Sequence, residues 1–222
     1  MKKVVLVTAQ YLLSRHKAGF HWLAESFHRA GWDVLFFTES LSWISWLRGN
    51  HRFAYPVRRE AHRLNVVRER LASFVWLTHW HPFSLRFAWL NRLARPLFAR
   101  YGGLPLHGIE PAIAQADLLI FDSTYGLMLF DRFRRLCPGA RCVYRVSDDI
   151  AQVNNHPILL ETETRIAPAF DLVSVPCDYI RRRLQHLPNV ALHYHGVQKD
   201  AFDRHTPSPY RGPGPHAVFI GQ

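Results

Sequence analysis

Apolar and polar positions alternate along the chain in blocks that read in turn as strands and helices. Lys3-Val4-Val5-Leu6-Val7-Thr8 is a short apolar run of the kind buried on both faces of a parallel sheet. A loop from Ala9 to His16 follows. Phe20, Leu23, Ala24 and Phe27 then fall at helical spacing and predict a helix over 19–30, closed by Gly31. Trp32 to Thr38 is the second strand, so residues 3–38 form a β-α-β unit. A short amphipathic piece, Ser40 to Arg48, ends at Gly49-Asn50. A polar stretch then runs to Arg70, ahead of a third strand at Ser73 to Thr78. A helix starts near Ser84. Phe87, Leu90, Leu93, Ala94, Leu97, Phe98 and Tyr101 share one stripe of it, opposite Arg92, Arg95 and Arg100. Pro96 should kink or interrupt it. The stripe reads equally as core packing and as a helix face at a membrane interface.

Past Gly102-Gly103 the alternation becomes regular. Helices are predicted at 109–115, 126–136, 157–167 and 178–187, the last with Arg181-Arg182-Arg183 on its solvated side. Strands are predicted at 117–121, 142–146, 172–175 and 190–193. This order defines an α/β chain with a Rossmann-like, doubly wound parallel sheet. Residues 205–215 are rich in proline and glycine and read as a linker, and residues 216–222 read as the first strand of a second, truncated domain. The expected organisation is a domain over 1–204, a linker and that strand.

Charge changes the picture because it is local. Residues 42–100 hold 11 basic and 2 acidic residues and five of the seven tryptophans, whereas 117–222 are nearly balanced. Such a mixture suits an anionic membrane surface, through Trp43, Trp46, Arg48, Trp89, Arg92 and Arg95. It also suits RNA, but no RRM, KH or zinc-knuckle signature is present, so no nucleic acid partner is expected. The alternative function is a basic membrane- or nucleic-acid-binding module without catalysis of its own. Three cysteines without a CxxC pair suit a reducing cytoplasm. No secretory signal and no run near 18 apolar residues appears, so the expectation is a cytoplasmic chain.

Candidate chemistry sits at the carboxyl ends of the strands, where open α/β sheets bind ligands. The strand ending Val143-Tyr144-Arg145-Val146 opens into Ser147-Asp148-Asp149. A carboxylate there, behind an arginine and beside a serine, is placed to take a proton from a substrate hydroxyl. The bland reading is a helix cap with a solvated Asp149. The first β-α turn lacks GxGxxG, which disfavours a nicotinamide enzyme. His21 should point toward the crevice. His79 and His81 have no partner ligands at matching spacing, so no metal site is expected.

Several pieces in one order resemble the GumK-like family, membrane-associated glucuronosyltransferases of xanthan-type exopolysaccharide synthesis with the GT-B fold. They are His81-Pro82-Phe83 with the Arg/Trp-rich helix after it, Ala116-Asp117 through Phe121-Asp122-Ser123, and Val143-Tyr144-Arg145-Val146-Ser147-Asp148. To these add Ile166-Ala167-Pro168, His195-Gly196-Val197, Pro207-Ser208-Pro209-Tyr210 and a weaker match from Lys17 to Phe37 that includes His21. The resemblance implies that residues 1–204 are the acceptor domain and that a nucleotide-sugar domain begins at 216. It implies an inverting transfer from UDP-glucuronate to a polyprenyl-diphosphate-linked oligosaccharide on the inner face of the cell membrane, with no cofactor. Asp148 falls on the family's catalytic aspartate. His21, His81, Asp122, Ser123, Arg145 and Ser147 would bind substrate, and His195 and Gly196 would lie at a hinge on the donor side. The family places glycine after the aspartate where this chain has Asp149, a second charge expected to raise the pKa of Asp148. The 222-residue chain alone is expected to be inactive.

Overall fold

A computed structural model describes residues 2–194 and 196. Eight strands form one sheet: β1 (Lys3–Thr8), β2 (Asp33–Ser42), β3 (Leu64–Arg68), β4 (Leu71–Thr78), β5 (Leu118–Asp122), β6 (Arg141–Arg145), β7 (Leu172–Val175) and β8 (Val190–Leu192). Their spatial order is β3-β4-β2-β1-β5-β6-β7-β8, parallel throughout except for the β3–β4 pair. The winding reverses beside β1, which pairs with β2 on one side and β5 on the other. Its carboxyl end is therefore the switch point where such sheets open a crevice.

Helices cover the sheet from both sides, which is why its central strands are apolar at successive positions. Val4 and Leu6 pack against Phe20 and Ala24 of α1 (Gly19–Arg29). Val5 and Val7 turn to the opposite face, into a core with Phe37, Trp76, Phe121 and Phe133. That larger core is closed by α5 (Glu110–Ala114 in chain order, after α2 Trp43–Leu47, α3 Val57–Glu60 and α4 Ala88–Phe98), α6 (Phe130–Leu136), α7 (Ile158–Ile166) and α8 (Asp178–Leu184). Gly31 ends α1 at φ +82°, a conformation that glycine adopts without a Cβ penalty.

The structure departs from the sequence reading in several places. The polar stretch before Arg70 contains β3, an antiparallel edge strand whose Leu64 and Val66 are exposed. Its exposed positions are Leu64, Val66 and Arg68, so two apolar side chains stand among the charges of the flanking segment. The helix near Ser84 starts at Ala88 and continues through Pro96 to Phe98. Its stripe is core only at the end, where Phe98 and Tyr101 are buried, while Leu93 and Leu97 are exposed. Finally, Arg183 is not solvated with Arg181 and Arg182: it turns inward onto Glu163 and Asp149. The hinge residue His195, the linker and the strand expected at 216–222 lie outside the described residues.

Candidate active site

The carboxyl ends of β1, β5 and β6 meet around one buried carboxylate. Asp122, the last residue of β5, is 3% exposed. It accepts hydrogen bonds from the Thr8 hydroxyl (2.6 Å), the Ser123 backbone N–H (2.9 Å) and the Ser147 side chain. Burial pushes its pKa up to about 6, against the pull of those donors. The Ser123 hydroxyl oxygen accepts the backbone N–H groups of Ser147 (3.1 Å) and Asp148 (2.9 Å). Asp122 and Ser123 thus fix the turn after β6 from beneath, without exposing the Asp122 carboxylate.

The Asp148 side chain is exposed and lines a cleft of about 280 Å³ with Arg52, His81, Ser123, Tyr125 and Asn154. His81 is buried, with Nδ1 2.8 Å from the Ser42 hydroxyl. Desolvation, then the charges of Arg52 and Arg48, hold its pKa at about 4, so the imidazole is neutral near pH 7. It can position a hydroxyl but carries no charge to an anion.

Arg52 was not singled out by the sequence. Its guanidinium donates to the carbonyl oxygens of Ala9 (2.6 Å) and Ser40 (3.0 Å), tying the loop after β1 to the end of β2. Beneath it lies Glu39, fully buried, which accepts from the Ser40 and Tyr101 hydroxyls and whose pKa is raised by burial. The local signal was only the Gly49-Asn50 break, where the Asn50 side chain accepts the Arg52 N–H at 3.0 Å. Thr8 was findable in principle, as the last residue of a central parallel strand.

The remaining sequence candidates are placed elsewhere. Arg145 donates to Ser174 Oγ and the His193 carbonyl, both at 2.8 Å, in a separate groove of about 700 Å³ beside α1. Ser147 and Gly196 line that same groove, whose walls include Phe20, Phe27, Ile120 and Val143. The smaller cleft, not this groove, holds Asp148 and His81. His21 is turned inward: its Nδ1 accepts the Ala18 N–H (3.0 Å), which leaves Nε2 to donate to the Tyr11 carbonyl (2.8 Å). Both ring nitrogens are engaged in fixing the loop before α1.

Trp43, Trp46, Arg48, Trp89, Arg92 and Arg95 are exposed. Trp43 and Trp46 meet edge to face at 5.8 Å, and the Arg58 guanidinium lies over both rings. Arg48 covers Phe83 at 4.8 Å, joining α2 to the segment before α4. On α4, Trp89 is 65% and Leu93 72% exposed. Arg92 is exposed, while Arg95 is paired with Glu161 at 2.6 Å. Among the described residues no helix is long and apolar enough to cross a membrane, and no group of His, Cys, Asp and Glu has a metal-holding arrangement.

A mostly parallel sheet with its switch point at β1, and a carboxylate-bearing turn after β6, defines a Rossmann-type ligand-binding domain. Residues 6–176 match the family model of the glucuronosyltransferase GumK N-terminal domain, and the chain belongs to that family. It is 25% identical over 217 residues to a UDP-glucuronate:glycolipid 2-beta-glucuronosyltransferase of Xanthomonas campestris pv. campestris, covering 98% of this chain and 53% of the relative. The chain therefore spans about half the length of the curated relative it matches.

Proposed function

We propose that this chain is the acceptor-binding part of an inverting glycosyltransferase that moves glucuronate from UDP-glucuronate onto a polyprenyl-diphosphate-linked oligosaccharide. The observation that carries this reading is the position of Asp148: an exposed carboxylate in a cleft at the carboxyl ends of the central strands, on a turn clamped by Ser123. The glycolipid named for the relative supplies the acceptor class.

In the proposed step, Asp148 takes the proton of the acceptor hydroxyl as its oxygen attacks the anomeric carbon. The new C–O bond forms on the face opposite the breaking bond, and UDP leaves with the bonding electron pair. Positioned proton removal of this kind typically contributes about 10²–10⁴-fold in rate. His81, neutral in its buried setting, and Arg52 flank the acceptor. The donor is held by a unit additional to the described residues, so the 222-residue chain by itself is expected not to turn over. No cofactor is assigned beyond the donor.

A lipid-linked acceptor gives the exposed tryptophans and arginines of residues 42–100 a purpose. We assign them to docking on the anionic inner face of the cell membrane. The mechanism is tested with Asp148→Asn in the full-length enzyme, assayed with UDP-glucuronate and a lipid-linked acceptor. A loss of at least a hundredfold in kcat with an unchanged melting temperature is expected. Retained turnover would eliminate Asp148 as the base.

A further inference from the structure

The carboxylate next to Asp148 has a different fate. Asp149 is nearly buried, its side chain 8% exposed, and Oδ1 lies 2.9 Å from Arg183 Nε. Arg183 comes from α8, and its two terminal nitrogens grip Glu163 of α7 at 2.6 and 3.0 Å. Glu163 in turn accepts the Tyr144 hydroxyl of β6 at 2.6 Å. Asp149 Oδ1 also accepts the backbone N–H of Ala151 at 3.1 Å, folding the chain back after the turn. One guanidinium therefore joins two helices, the strand that carries the turn, and the turn itself.

We propose that Asp149, held by Arg183, is a positioning residue for the transfer reaction, fixing the turn so that Asp148 faces the cleft. This inference rests on Asp148 being the base. Ser123 clamps the turn at the N–H groups of Ser147 and Asp148, and Asp149 anchors it on the other side. Two anchors on either side of Asp148 restrict where its carboxylate can reach, and misplacement by about 1 Å is enough to cost roughly 10²-fold in rate. The Asp149 carboxylate is paired with Arg183, away from the cleft.

Truncating Arg183 would strand two buried carboxylates and risk unfolding, so the test uses Asp149. Asp149→Ala leaves the Arg183–Glu163 pair intact, whereas Asp149→Asn gives up the charge but keeps an oxygen at Oδ1 for the Ala151 N–H. In the full-length enzyme, Asp149→Ala is expected to lower kcat at least tenfold with KM within twofold and the melting temperature preserved. Asp149→Asn should recover to within about threefold of wild type. Equal losses in both variants with a lowered melting temperature would assign Asp149 to folding and overturn the proposal. So would an Asp149→Ala enzyme with kcat near wild type. Asp148→Asn run in parallel separates the two ideas: if it alone is inactive, only the positioning role fails. If it keeps turnover, the base assignment fails and the positioning role falls with it.

Discussion

The Thr8 hydroxyl donates to the Asp122 carboxylate at 2.6 Å although 114 positions separate them. This bond joins the carboxyl ends of β1 and β5 inside the fold, beneath the turn that carries Asp148. Burial raises the pKa of Asp122 against the pull of this bond, while His81, neutral near pH 7, lines the cleft.

These two groups oppose each other as the pH falls. His81 drops from the usual 6.5 to about 4, so the unfolded chain binds its proton first, and stability is lost between pH 6.5 and 4. Asp122 rises from 3.8 to about 6, so the folded chain binds its proton first, and stability is gained between pH 6 and 3.8. Each contribution is about 3 kcal/mol when complete. Glu39, also raised by burial, acts in the direction of Asp122. Melting curves from pH 7 to 4.5 should show His81→Gln gaining stability relative to wild type on acidification. Asp122→Asn should lose it. Parallel curves for all three proteins would contradict both assignments.

Arg52 is expected to matter to the fold as well as to the cleft. Its guanidinium satisfies carbonyl groups of Ala9 and Ser40, and hydrogen bonds from a charged donor contribute about 1.5–3 kcal/mol. Arg52→Ala should therefore lower the unfolding free energy by about 3 kcal/mol in urea titration. A change under about 0.5 kcal/mol would mean that water replaces the guanidinium without loss.

The proposed membrane docking separates residues that the sequence treated alike. Trp89→Ala with Leu93→Ala removes the two most exposed apolar side chains of the candidate surface on α4 and should cut co-sedimentation with anionic vesicles several-fold. Arg92→Ala should weaken binding at low salt. Arg95→Ala should have a smaller effect, because Glu161 already meets its charge. Equal binding of the wild-type chain to neutral and anionic vesicles would remove the electrostatic part of the claim.

Gly102→Ala tests packing at the base of α4. A Cβ there would lie 2.1 Å from the Met128 carbonyl oxygen, a backbone atom with no side-chain freedom to retreat. The expected cost is about 3 kcal/mol, read as a lowered urea midpoint at unchanged slope. An unshifted midpoint would show that the 125–129 segment moves aside.

Strands buried on both faces were the most legible part of the chain. Lys3–Thr8 and Leu172–Val175 lie where their apolar runs predict, because nothing but burial selects such runs. The edge strand β3 was invisible, since its exposed Leu64 and Val66 stand among charges. The turn at Asp148 was readable because strand ends in this topology face a crevice. The roles of Arg183 and Arg52 were not. Both act across distant segments, Arg183 on Asp149 and Glu163, Arg52 on Ala9 and Ser40, and no local pattern encodes such a meeting. The triple-arginine run even pointed the wrong way, since two of its members are solvated and the third is not.

The central position of β1 has a consequence for biosynthesis. Its first partner, β2, leaves the ribosome soon after it, but its other edge must wait for β5, which begins at Leu118. At typical elongation rates that interval is on the order of ten seconds, during which Val4-Val5-Leu6-Val7 presents an unpaired edge. A nascent chain stalled within the β2–β5 interval should therefore be a strong substrate for cellular chaperones, and release from them should track the emergence of Leu118–Asp122.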